Sequence, residues 1–301
     1  MLSLPLTAWL LVLLVLALSG AAWGPGNHLE FEARVFRRRK ELLPPRVAAL
    51  ISAEREAWQY GHIAADLINF KAFGGHYNHC HRWTIVAEMR EVARTPGEEA
   101  FALGYLSHLA ADTIAHNHFV PYHLARYARG RGLGHLYWEM NADRFVPDER
   151  WEVVTRLKEN RSLSDLDQLV NRMVPRKALS MGTNKLIFNH VLLVSERSQW
   201  RSGMSLMHPI QGVQLTRGFL ELFRDAAVAR IVLALSPRGL ARLEHLDTSG
   251  KEPQARALAT RARAMLLTPA ERRQRSEERA RVFLEGMQSP PPRAAGTRAH
   301  W

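Results

Sequence analysis

The stretch SHLAADTIAHNHFVPYHL, Ser107–Leu124, sets four histidines and one aspartate within an apolar run of helical spacing. Asp112 follows His108 by four residues, and His116 follows Asp112 by four. Residues at i and i+4 share a helix face, so these three side chains can converge on one cation. A lone pair of this kind arises by chance on surface helices. Here His135 and Glu139, in GHLYWEM, repeat the device, and Asp66 and HYNHCHRW lie upstream. Nine of the 14 histidines fall between His62 and His135. Imidazole nitrogen with carboxylate oxygen is a donor set that suits zinc.

Outward from this stretch the helical period recurs, period-2 alternation is scarce and no internal repeat is evident, so the fold class is all-α. The spacing predicts helices over Phe31–Glu41, Pro45–Ala57, Ile63–Phe70, Trp83–Ala93, Gly97–Ala115, Leu136–Phe145, Leu163–Met173, Val213–Leu235, Glu252–Leu266 and Pro269–Glu285. Ser164 with Asp165 can cap one N-terminus, and Thr268-Pro269 can open the last helix as N-cap and first helical residue. The residues divide into a leader at 1–22, a helical domain at 23–287 and a disordered tail at 288–301. Within the domain the motifs occupy 23–145, and 146–287 is a helical extension.

Leu2–Ser19 is almost wholly apolar and ends in Ser19, Gly20, Ala21 and Ala22, the core and cleavage region of a secretory signal peptide, although a basic start is missing. The chain is therefore expected to be exported, to the periplasm or beyond; an uncleaved leader acting as a membrane anchor is the alternative. With Cys80 its single cysteine, the chain has no intramolecular disulfide, so a metal cluster is a natural staple for the exported fold. The formal charge is +12, and Lys251–Trp301 holds 11 Lys or Arg against five Asp or Glu. Such a balance suits an anionic membrane surface or nucleic acid, or else reflects a solvated arginine-rich helix.

FALGYLSHLAADTIAHNHFVP, the later GHLYWE and the early WGPGNH resemble the zinc-dependent phospholipase C family, which is related to the S1/P1 nucleases. The resemblance covers roughly 23–145. It implies a multi-helix bundle of the phospholipase C/P1 nuclease type with two or three zinc ions, and a mature chain that begins at a tryptophan. Trp23 follows Ala22 directly, and its free amine and carbonyl would chelate one zinc together with His28. His108 and Asp112 would belong to the paired ions, with Asp112 bridging. His135 and Glu139 would hold the remaining ion with His116 or His118. The family's six-residue spacing points to His118, whereas helix geometry and the AHN context point to His116. Asp66 in GHIAADLI matches the family's upstream acidic residue, a ligand or general base. One more ligand would come from GGHYNHCHRW: His81 fits best because Trp83 follows two residues on, then His79, then His76.

Several zinc ions held in this way generate hydroxide near neutral pH and neutralise charge at phosphorus, so phosphodiester hydrolysis is the expected reaction. The leading reading is an exported phospholipase C acting on a phospholipid. A nuclease or other phosphodiesterase on the same cluster, and a non-enzymatic zinc-stabilised binding protein, are the alternatives. His62, His123, His190, His208, His245 and His300 read as surface or structural, Trp58, Trp138 and Trp151 as packing, and Cys80 as a buried thiol. The sequence departs from the clostridial toxins in having no β-sandwich after the helical core, and it shows no evident choline pocket.

Overall fold

The computed structural model describes residues 23–68, 80–127, 137–138, 141–174, 181, 183 and 215–288. The principal helices are α1 (Pro25–Arg37), α2 (Pro45–Ala53), α3 (Arg55–Ala64), α4 (Trp83–Val92), α5 (Pro96–Ile114) and α6 (Val120–Tyr127). They continue with α7 (Asp148–Glu159), α8 (Ser164–Met173), α9 (Arg217–Ala234), α10 (Lys251–Ala264) and α11 (Pro269–Ala280). The described residues contain no strand, and the fold is an all-α bundle of the phospholipase C/P1 nuclease type.

Its axis is α5, which is buried on every side from Ala100 to Ile114 and is therefore wrapped by other helices. Thr95 opens it: the Glu98 amide donates to the Thr95 hydroxyl (3.1 Å), the Thr95 amide donates back to the Glu98 carboxylate (3.1 Å), and Pro96 takes the first helical position. Helices α3, α4 and α9 pack around it. Between α3 and α5 the backbones touch. A Cβ added at Gly61 would collide with the Phe101 carbonyl, and one at Gly104 with the Trp58 carbonyl. Only hydrogen fits at both positions, so α3 lies close enough for its C-terminal end to reach the polar face of α5.

The helix expected over Ile63–Phe70 is not formed in that register. Instead α3 ends at Ala64, and a turn follows in which the Asp66 and Leu67 amides both donate to the Ile63 carbonyl (3.1 and 3.3 Å). That turn takes Asp66 off the helix and leaves it buried. The helix expected from Pro45 is broken at Glu54, and α1 begins earlier than Phe31, at Pro25. Ser164 is no cap. The Asn160 side chain instead accepts from the Ser162 amide (2.9 Å) and starts a short 3-10 turn, from which α8 continues. Thr268 caps α11 with Glu271 in a reciprocal capping box. The expected leader at 1–22, residues 136, 139 and 140 of the helix expected at Leu136–Phe145, and the tail from residue 289 lie outside the described residues; 137–138 and 141–143 of that helix are helical, and 144–145 form a turn.

His123 on α6 is completely buried, as befits a structural residue. Its Nδ1–H donates to the Phe119 carbonyl (2.6 Å), and its ring lies against Trp138 with centroids 4.2 Å apart. Burial, only partly opposed by the Phe119 carbonyl, pushes its pKa down to about 3. The unfolded chain takes up this proton below about pH 6.5, and the folded chain refuses it until about pH 3. Stability is therefore lost as pH falls through that window, by roughly 2–3 kcal/mol from His123 at about pH 4.5. Denaturant titration at pH 7 and pH 4.5 should show a drop smaller by roughly this amount in His123→Phe. An equal drop in both proteins would contradict the assignment.

Candidate metal centre

Five side chains from four parts of the chain meet at α5. His108 and Asp112 come from α5 itself, His28 from α1, Asp66 from the turn after α3, and His81 from the residues before α4. All five are buried, His28, His108 and Asp112 completely. His28 Nε2 lies 3.4 Å from Asp112 Oδ1 and 3.6 Å from Asp66 Oδ2. His81 Nε2 is 3.1 Å from Asp112 Oδ2 and 3.6 Å from Asp66 Oδ1. His108 Nε2 is 3.2 Å from Asp112 Oδ2 and 3.0 Å from His81 Nε2. The donor atoms form two overlapping triads, His28–His108–Asp112 and Asp66–His81–His108, each within 4.8 Å.

His108 is prepared for this role by its backbone neighbours. Its Nδ1 is 2.9 Å from the His62 carbonyl, which can only accept, so the proton sits on Nδ1 and the Nε2 lone pair faces the cluster. Electrostatics favour the deprotonated forms of His28 and Asp112 as well. Burial lowers the His28 pKa, the neighbouring His108 adds to this, and Asp112 and Asp66 oppose it. Burial alone would raise the Asp112 carboxyl, but the close imidazoles of His108, His28 and His81 outweigh it and hold the group well below the usual carboxylate range. An unprotonated His28 beside an ionised Asp112 is what a cation requires.

Among the described residues neither Asp112 oxygen and neither His28 nitrogen has a well-aligned hydrogen-bond partner, although all four are buried. An unsatisfied buried polar atom costs about 1–3 kcal/mol, and more if charged. A divalent cation among these atoms would satisfy them together, so the residues present fit zinc.

Beyond Asp112 the helix widens into a π-turn over Ala115–Phe119, which separates the two histidines in dispute. His116 Nε2 lies 3.8 Å from Asp112 Oδ2. His118 is turned the other way, its Nδ1–H donating to the Phe283 carbonyl (2.8 Å), and burial lowers its pKa to about 4. Trp23 is buried next to α5: its indole N–H donates to the Ala111 carbonyl (3.3 Å) and its ring stacks on Phe119. His79, His135 and Glu139 lie outside the described residues. The Cys80 thiol is buried, 3.8 Å from the Ala65 carbonyl and 3.2 Å from His81 Nδ1.

Three supports had no local signal in the sequence. His62 is completely buried beside His28 and His108, its ring edge-on to Trp58, and among the described residues neither of its nitrogens has a hydrogen-bond partner. Asn27, adjacent to His28, donates to Asp143 (2.5 Å) and accepts two bonds from the buried Arg224 (3.1 and 2.8 Å), which fixes the start of α1.

The third is a strap over Leu246–Gly250. Trp83 Nε1 donates to the Leu246 carbonyl (2.9 Å), Asn117 to the Asp247 carbonyl (2.7 Å), and the Thr248 hydroxyl to the carbonyl of His81. Gly250, at φ +60°, sits on His116 so closely that a Cβ would collide with its carbonyl and Cβ. The Gln254 amide is 3.4 Å from His116 Nδ1. The strap thus ties the His81 and His116 segments to each other.

Loosening it should weaken zinc binding. Thr248→Val and Gly250→Ala are each expected to lower zinc affinity about tenfold in a chelator competition, while Thr248→Ser stays near the parent value. Equal affinity in the valine and serine variants would show that the hydroxyl does not position His81.

No curated protein and no solved structure matches the chain. The family model for zinc dependent phospholipase C matches residues 27–177, which takes in α1 to α8 and the donors from His28 to His116. The chain belongs to the zinc-dependent phospholipase C family and is, with it, a phosphodiester hydrolase.

Proposed function

We propose that the protein is an exported phospholipase C that cleaves the phosphodiester of a phospholipid and releases diacylglycerol. The observation that carries this reading is the pair of buried donor triads sharing His108 within a phospholipase C family chain. Two or three zinc ions would be held. Trp23, through its amine and carbonyl, and His28 would hold one; Asp66, His81, His108 and Asp112 would serve the others, with Asp112 bridging. His116, His135 and Glu139 would complete the set. The burial of Trp23 against Ala111, the residue before Asp112, supports a chain start beside the centre. A leader at 1–22 cut after Ala22 would provide that start.

When bound, zinc lowers the pKa of water and offsets negative charge on the attacking and leaving oxygens. The chain's own contribution is positional. Asp66, on its turn rather than on a helix, would orient the attacking water and take its proton at Oδ2. His108, fixed through Nδ1 by the His62 carbonyl, holds its Nε2 in place without reorganising during the reaction. The buried walls exclude bulk water, which strengthens each of these interactions.

The net charge of +12 supports a second reading, hydrolysis of a nucleic acid phosphodiester by the same centre. Mature protein starting at Trp23 should contain two or three zinc ions by elemental analysis. It should release diacylglycerol from phospholipid much faster than nucleotides from single-stranded DNA or RNA. An alanine placed ahead of Trp23 should cost one zinc and most of the activity. Faster nucleotide release would replace the first reading by the second, and less than one zinc per chain would overturn both.

A further inference from the structure

The hairpin of α10 and α11 stands on α6 and the π-turn, and its connection is unusual in what it exposes. Among the described residues four large apolar side chains are exposed, and two of them, Met265 (50%) and Leu266 (88%), are neighbours in this connection. Scattered single apolar residues on a surface need no explanation, but an adjacent pair at the end of a hairpin is a different arrangement.

The exposure is built into the structure. The Met265 amide donates to the Arg261 carbonyl (3.1 Å) and so closes α10. The Arg272 guanidinium donates to the carbonyls of Met265 (3.2 Å) and Leu267 (3.0 Å), and the Thr268–Glu271 capping box starts α11 directly afterwards. The amides of Leu266 and Leu267 are also bonded back to the last turn of α10, to the carbonyls of Arg263 (3.4 Å) and Ala264 (3.1 Å). The Leu266 side chain is presented outward.

The surroundings select the partner. Arg256, Arg263, Arg275 and Arg279 on the two helices are exposed. Over 251–281 the sequence has nine Lys or Arg against four Asp or Glu, and Glu271 is tied up in the cap. No described helix is long and apolar enough to cross a membrane, so contact of this kind would be peripheral. Two protruding apolar side chains at the tip of a net-cationic, arginine-rich hairpin match the boundary between anionic head groups and acyl chains.

We infer that the Met265–Leu266 tip is a membrane-docking element that inserts into the surface of an anionic phospholipid bilayer. The inference rests on the phospholipid reading, to which it adds the face that approaches the lipid. The hairpin leads away from the strap on His116, so docking here uses none of the proposed metal ligands.

The test is co-sedimentation of the zinc-loaded full chain, in the cold, with vesicles of pure phosphatidylcholine or with about one third phosphatidylglycerol, lipid hydrolysis being followed in parallel. The parent should favour the anionic vesicles. Met265→Ser/Leu266→Ser should reduce partitioning about tenfold or more. Each of Arg263→Gln and Arg275→Gln should reduce it by up to about fivefold, less at high salt. Hydrolysis of a short-chain, monomeric phospholipid should be unchanged in all of these variants. Partitioning unaltered in the double serine variant, or a shift in that variant from dimer to monomer, would overturn the inference, the second result naming another copy as the occupant. Tip-dependent vesicle binding without any phospholipid hydrolysis would leave the docking element standing and reject the phospholipase reading.

Discussion

A single carboxylate buried among imidazoles sets the terms for the rest of the molecule. Asp112 has no solvent contact and is approached by His28, His81, His108 and His116 at 3.4, 3.1, 3.2 and 3.8 Å. A charge of this kind is costly to bury unless it is paired or ligates a metal. The fold meets the requirement by bringing three separate segments, carrying His28, Asp66 and His81, to one face of α5. The Asp66 turn comes close because α5 is small-sided where it meets α3, with Gly104 and Gly61 in backbone contact.

Several constraints then follow from a demand for fixed donor directions. His108 is held through its other nitrogen by the His62 carbonyl. The start of α1 is locked by Asn27 between Asp143 and Arg224, so His28 arrives at a set position. The strap at Leu246–Gly250 holds the carbonyl of His81 and the backbone of His116. That strap lies beyond the residues matched by the family model, at 27–177. The C-terminal helical extension is therefore coupled to the centre rather than appended to it. Outer contacts that hold metal ligands often matter to affinity nearly as much as the ligands themselves.

What the sequence disclosed was local in origin. His108, Asp112 and His116 could be placed on one face because helical spacing relates them directly. The Thr268 cap was equally readable, since its Glu271 partner is three residues away. Asp66 could be noticed, but the helix drawn through it was displaced by a turn whose purpose, aiming that carboxylate inward, depends on partners far along the chain. His62 carried no signal, because its burial comes from the packing of Trp58 and the centre rather than from its neighbours in sequence. Thr248 and Gly250 were invisible for the same reason: they meet His81 and His116 across more than a hundred residues. The π-turn that parts His116 from His118 is likewise a tertiary effect, anchored by Phe283.

The central claim is that this buried cluster of imidazoles and carboxylates holds zinc through nitrogen and oxygen alone. X-ray absorption at the zinc edge of the purified protein tests it most directly. The account predicts a first shell of nitrogen and oxygen scatterers at about 2.0–2.2 Å, with imidazole multiple scattering and no sulfur contribution, a signal that Asp112→Asn largely removes. A sulfur shell at about 2.3 Å, which would implicate Cys80, or an unchanged spectrum in Asp112→Asn, would contradict it.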